Sequence, residues 1–153
     1  MRSGVRLGVD VGTVRIGVAR SDLHGMLATP VETVPRGAGD VVRIAALVAE
    51  LEATEVIVGL PLALSGRATA STEDASGFAA RLAAALPVAV RLVDERLSTV
   101  SAQAALRTAG RSTRSQRPVV DQVAATIILQ HALDTERASG KPAGTSVDQT
   151  GRP

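Results

Sequence analysis

From residue 5 to residue 12 the chain alternates without a break. Val5, Leu7, Val9 and Val11 fall on one side; Arg6, Gly8, Asp10 and Gly12 fall on the other. A period of two over eight residues describes a β-strand, because on a helix the same apolar residues would scatter around the axis. Gly12 and Thr13 read as a tight turn into a second strand over residues 14–20. The chain therefore opens with an antiparallel hairpin. One face of its first strand is apolar, and glycine strips the other face around Asp10. A carboxylate near the end of a central strand needs a cation, a metal or hydrogen-bond donors, and the glycines beside Asp10 leave room for a partner.

The rest of the chain builds a single layer system around that hairpin. A third strand over residues 26–34 is interrupted by Pro30, which assigns it to a sheet edge because proline donates no ladder hydrogen bond. The period then changes. Asp40 can cap a helix, and Val41, Ile44, Leu47, Val48 and Leu51 form one apolar stripe. Residues 55–61 are a short apolar run, suited to a parallel strand covered on both faces. A loop over residues 62–70 carries Arg67 at its tip. Residues 71–74 resemble a capping box, and the helix they open carries Ala75, Phe78, Leu82 and Leu86 up to Pro87. Residues 88–93 form another strand. Ser98 can cap a further helix that Gly110 ends, and residues 111–117 form a basic, serine-rich connector. Pro118 suits the first turn of a long helix reaching about residue 137.

The expected organisation is one domain over residues 1–137. Residues 138–153, rich in Gly, Pro, Ser and Thr with no periodicity, are expected to form a disordered tail. The element order gives an α/β fold with a mixed five-stranded sheet, an antiparallel meander followed by parallel strands in the order 3-2-1-4-5, flanked by helices. That is the ribonuclease H-like arrangement. Hydrophobic residues at 45% and charged residues at 21% describe a soluble globular chain. No apolar run reaches membrane-spanning length, no signal peptide opens the chain, and there is no cysteine. These features fit the cytoplasm and exclude thiolate metal sites.

Three carboxylates can meet at one edge of such a sheet. Asp10 ends the first strand, Glu95 follows the last, and Asp121 lies in the first turns of the last helix. Asp121 shares a helix face with Ala124, Ala125, Ile128 and Ala132, a packing face on which a carboxylate needs a positive partner; a favourable position at the helix N-terminus would also account for it. Mutual repulsion would raise the three pKa values, and a divalent cation would remove that repulsion. All-oxygen ligands select Mg²⁺ or Mn²⁺, and two such ions about 3.5–4 Å apart can activate water against a phosphodiester. His24 and His131 are far apart in sequence and have structural or solvent roles.

Four stretches, Asp10-Val-Gly-Thr-Val-Arg15-Ile-Gly-Val-Ala19, Val58-Gly-Leu-Pro-Leu62, Asp94-Glu-Arg-Leu-Ser-Thr99, and Asp121-Gln-Val-Ala-Ala with Ile127-Ile-Leu-Gln130, occur in this order and spacing. Together they resemble the YqgF/RuvX family, Holliday-junction-resolvase-like nucleases linked to ribosomal RNA precursor processing. The resemblance implies a ribonuclease H-like fold and a catalytic, metal-holding triad of Asp10, Glu95 and Asp121. It implies metal-dependent endonuclease activity on structured RNA, in 5′-end maturation of pre-16S ribosomal RNA, or on branched DNA. Departures from the family pattern are Ala63 and Ser65 where Asn and Asp are usual, Val14 in place of a basic residue, and Arg117 in place of lysine.

Positive charge comes from sixteen arginines and one lysine, Lys141. Within the resemblance, Arg15, Arg96, Arg114 and Arg117 lie beside the acids and are expected to hold backbone phosphates by bidentate forks. Arg96 can instead brace Asp94 or Glu95. With one Phe and no Tyr or Trp, base stacking is not the means of recognition. Two other classes remain open: a non-catalytic nucleic-acid-binding factor of ribosome assembly or transcription, and a fragment of a sugar-kinase or actin-like ATPase, whose phosphate turn is also Asp-x-Gly-Thr. Two-site cleavage of a symmetric junction would call for a homodimer.

Overall fold

The computed structural model describes residues 2–95 and 117–147. Strands β1 (Val5–Val11), β2 (Arg15–Ser21) and β3 (Ala28–Pro35) form the meander. Helix α1 (Asp40–Glu50), strand β4 (Ala53–Leu60), helix α2 (Ala70–Ala85) and strand β5 (Ala89–Asp94) follow. Beyond residue 116 come helix α3 (Arg117–Ser139) and strand β6 (Thr145–Val147). The helix expected over residues 98–110 and the connector before α3 lie outside the described residues, as do Arg96 and Arg114.

The sheet order is β3-β2-β1-β4-β5-β6. β1 pairs antiparallel with β2 and parallel with β4, and β4 pairs parallel with β5. The first five strands stand in the expected order, with β3 at the edge and a register irregularity where Ala19 faces Pro30. The sixth strand is a correction: part of the expected tail pairs antiparallel with β5. Arg91 holds it, donating from Nε to the Ala143 carbonyl and from Nη2 to the Gly144 carbonyl, both at 2.7 Å. Gly144 has φ +75°, and a Cβ there would lie 2.0 Å from the Leu92 carbonyl oxygen. Val147 is buried in the core. Three residues are too few for a strand period to show in a sequence.

Each face of the sheet has its own core. Leu7, Val9, Ile16, Val18, Val56 and Val58 pack against α1 and α2. Ala19, Ile57 and Val93 pack against Ala125, Ile128, Leu129, Ala132 and Leu133 of α3. The caps differ slightly from the sequence reading. Gly39, not Asp40, is the residue before α1; buried Asp40 instead accepts from the Gly37 and Val41 amides. The capping box of α2 is formed by Thr69 and Thr72 rather than by residues 71–74.

Helix α3 lies low on the sheet because β1 and β2 present glycine to it. A Cβ on Gly8 would stand 2.6 Å from the Leu129 Cβ, and one on Gly17 would stand 1.9 Å from the Asp121 carbonyl oxygen. The space that the sequence reading left beside Asp10 for a partner is, at Gly8, taken by this helix. The polar stripe of α3 is also engaged: Gln122 reaches Thr33 at 3.0 Å, and Gln130 bridges the Ala28 amide and the Met26 carbonyl. Gly8→Ala and Gly17→Ala should each destabilise the protein by about 1–3 kcal/mol, because neither helix backbone nor sheet can yield without repacking. Gly77→Ala, on an exposed face of α2 with nothing within 4 Å, should be neutral or stabilising by up to about 1 kcal/mol. Urea melts of the three variants distinguish close approach from a general dislike of substitution.

Candidate active site

Asp10 lies near the C-terminal end of β1 with glycine on both sides. Across the sheet it pairs with Gly17 of β2, and one step beyond the Val9–Val58 pair β4 has Gly59. Glu95 is the first residue after β5, its amide donating to the Leu60 carbonyl at 3.3 Å. β5 is two strands from β1, about 9.6 Å by the usual strand spacing. The Glu95 side chain crosses that gap over Gly59: a Cβ on Gly59 would lie 2.2 Å from Glu95 Oε2. Gly59 is therefore the cradle that lets an acid from β5 reach the acid on β1. Glu95 is 9% exposed, and its Oε2 has no hydrogen-bond partner among the described residues.

Asp121 enters from above, its backbone seated on Gly17. Its carboxylate accepts a hydrogen bond from Arg15 Nε at 3.1 Å. The positive partner that its packing-face position demands is thus Arg15, the first residue of β2. The structure brings Asp10 and Glu95 together and sets Asp121 beside them, engaged elsewhere. Among the described residues no three His, Asp or Glu side chains are arranged around one metal position. Arg117 opens α3.

Electrostatics follow from this packing. Burial pushes Asp10 up to about 6, with the nearby Asp121 charge adding to the effect. Burial pushes Glu95 up to about 8, and the Asp10 charge and a hydrogen bond with Asp10 act in the same direction. Both acids are thus held above the ordinary carboxylate range, Glu95 further than Asp10, and they titrate as a coupled pair. Burial also raises Asp121, while Arg15 opposes the rise.

Two features were not legible in the sequence. Arg36 donates from Nη1 to the Gly12 carbonyl at 2.7 Å and grips Asp74 of α2 at 2.8 and 2.9 Å, and its amide donates to the Val14 carbonyl. It clamps the β1–β2 turn that carries Asp10 and Arg15; nothing in the local sequence distinguishes it from the other arginines. The second is a buried ionic cluster at the far end of α3. Arg6 Nη2 meets Glu136 Oε2 at 2.9 Å, and Arg2 joins Glu136 to Glu55. The alternation on β1 placed Arg6 on the Asp10 face, which was the available signal.

A divalent cation fits the acids. They offer only oxygen, which suits a hard ion, they repel one another, and among the described residues Glu95 Oε2 is a buried oxygen without a hydrogen-bond partner. Asp10 and Glu95 could hold such an ion as they stand, and Asp121 could join them on leaving Arg15.

The three-layer packing and the mixed sheet define a ribonuclease H-like protein. RuvC of Thermus thermophilus, solved in complex with a Holliday junction substrate, superposes with a TM-score of 0.57 at 18% identity, covering 90% of this chain and 99% of that one. Residues 4–135 match the family described as RuvX, Holliday junction resolvase, and the chain belongs to that family. A relative from Clavibacter sepedonicus, named "Putative pre-16S rRNA nuclease", is 69% identical over 150 residues, covering 96% of this chain and 93% of the relative. One from Leifsonia xyli with the same name is 65% identical, covering 97% of each.

The raised carboxylates make the metal-free protein sensitive to alkali. Each contributes stability that is complete below its ordinary pKa near 4 and is lost as pH rises through the folded value. In EDTA the wild-type melting temperature should therefore fall by several degrees relative to Glu95→Gln as pH rises from 5 to 9. Parallel melting profiles for the two proteins would mean that Glu95 does not carry its proton into the neutral range.

Proposed function

We propose that the chain is a metal-dependent endonuclease that hydrolyses phosphodiester bonds in structured nucleic acid, in 5′-end maturation of pre-16S ribosomal RNA. The observation that carries this reading is the meeting of half-buried Asp10 with buried Glu95, Asp121 beside them, in a chain of the RuvX family. Asp10, Glu95 and Asp121 are the catalytic acids and would hold Mg²⁺ or Mn²⁺. When bound, the cation supplies neutralisation of the acids and activation of the attacking water. Asp10, fixed on a central strand, is the anchoring ligand. Glu95, as the carboxylate, would share the cation or orient the attacking water. Arg15 stands at the rim to take a substrate phosphate, with Arg96, Arg114 and Arg117 extending that basic contact. Branched DNA is the second reading, favoured by the family's description as a Holliday junction resolvase; two copies related by a two-fold axis would then cut both strands. A ribosomal RNA nuclease works in the cytoplasm, and no described helix is long and apolar enough to cross a membrane.

A ribosomal RNA precursor and a four-way DNA junction, assayed side by side with Mg²⁺, Mn²⁺ or EDTA, test this. Cleavage should require metal, and Asp10→Asn and Glu95→Gln should each lose about a hundredfold or more in rate while still melting cooperatively. Millimolar metal should raise the wild-type melting temperature, because only the folded state binds it. Cleavage that survives in EDTA or in Asp10→Asn would overturn the assignment, and preference for the junction would move the substrate to DNA.

A further inference from the structure

Arg15 has two claims on it. Its Nε donates to Asp121 Oδ2 at 3.1 Å, yet both side chains keep contact with water, with exposures of 31% and 21%. The terminal guanidinium nitrogens make no hydrogen bond among the described residues. The backbone that carries Arg15 is held: Gly12 donates to the Arg15 carbonyl at 2.8 Å, and Arg36 clamps the same turn. So the side chain can change partner without moving the strand. A partly exposed ion pair of this kind is weak, and a guanidinium binds a phosphate at least as well as a lone carboxylate.

Resting on the metal-site reading above, we infer that Arg15 stands in for the cation at Asp121 and is handed to a substrate phosphate when the cation arrives, so that metal and nucleic acid bind cooperatively. In the metal-free chain the guanidinium neutralises the third acid. A divalent ion between Asp10, Glu95 and Asp121 competes for that carboxylate and repels Arg15. The released fork then faces the rim where the phosphodiester must lie. By linkage, nucleic acid that engages Arg15 frees Asp121 and tightens the metal by the same factor. The chain thereby avoids holding a phosphate beside an uncompensated Asp121 carboxylate.

The test is a cycle of Arg15→Gln and Asp121→Asn, with binding read by fluorescence anisotropy on a phosphorothioate RNA hairpin. In EDTA, Asp121→Asn should bind the hairpin about two- to fivefold more tightly than wild type, the release of one exposed pair. That gain should vanish in the double variant, because it acts through Arg15. Arg15→Gln alone should leave EDTA binding within about twofold of wild type, yet weaken binding in Mg²⁺ by about fivefold or more. Calorimetry with Mn²⁺ alone should give Arg15→Gln a tighter metal site. If Arg15→Gln weakens binding equally in EDTA and Mg²⁺, Arg15 is free throughout and the hand-over is wrong. If the Asp121→Asn gain persists in the double variant, the effect is net charge and the inference also fails. Wild-type protein that binds no Mn²⁺ in calorimetry would overturn the metal-site reading itself, and the EDTA cycle still reports separately on the Arg15–Asp121 pair.

Discussion

The buried ion pair between Arg6 and Glu136 sets where α3 lies along the sheet. Arg6 is 2% exposed and Glu136 4%, and their contact at 2.9 Å joins the start of β1 to the last turns of α3. Such a pair adds little net stability compared with a well-packed apolar replacement, but removing one partner costs about 3–5 kcal/mol. A displacement of α3 by one turn would leave Glu136 unpaired and meets that penalty. From this fixed point the helix runs antiparallel to β1: Glu136 faces Arg6, Leu129 faces Gly8, and Asp121 arrives at the Asp10 end. The third acid is therefore delivered by a charge pair at the opposite end of the same helix. Arg2 and Glu55 reinforce that point by linking Glu136 to β4.

Depth of packing then determines the chemistry. Gly8, Gly17 and Gly59 lie on three adjacent strands, and each admits something different: a leucine of α3, the backbone of α3 and the carboxyl of Glu95. With side chains there, α3 would ride higher, water would reach Asp10, and the pKa values of the pair would stay near those of ordinary carboxylates. Low packing withdraws Asp10 and Glu95 from water before any ligand is present. A group so desolvated is costly to ionise and gains correspondingly from a cation, so the glycines on the sheet tune the acids on its edge.

Much of this was legible in the sequence, and the parts that were not share a cause. The period-two alternation over β1, the edge position of Pro30 and the two apolar runs of β4 and β5 place five strands in their observed order. Asp10, Glu95 and Asp121 stood out as carboxylates at strand ends and on a helix packing face. What escaped depended on side chains reaching across the fold. The Arg15–Asp121 pair spans 106 residues and the Arg6–Glu136 pair 130, and no local period encodes such separations. Gly59 lies within the apolar run of residues 55–61, where no local pattern marks its role, although it resolves the two-strand gap between Glu95 and Asp10. β6 is anchored by Arg91 of β5, which supplies hydrogen bonds to the chain just before β6 from more than fifty residues away.

The distribution of aromatic residues constrains what kind of recognition the edge can perform. The chain has one aromatic side chain, Phe78, and it is 1% exposed. Arg36 and Arg81 lie over it at 5.5 and 5.0 Å from the ring centre, so it serves to orient cations and presents no face to a base. Stacking of a base on a Phe, Tyr or Trp ring is therefore not open to this protein. What remains is charge with fixed geometry: Arg15 at the start of β2, Arg36 locked on the turn, and a set of acids whose spacing is dictated by strand and helix. Such a surface can meet phosphate by charge and position, the kind of contact that fixes register and orientation without reading a base.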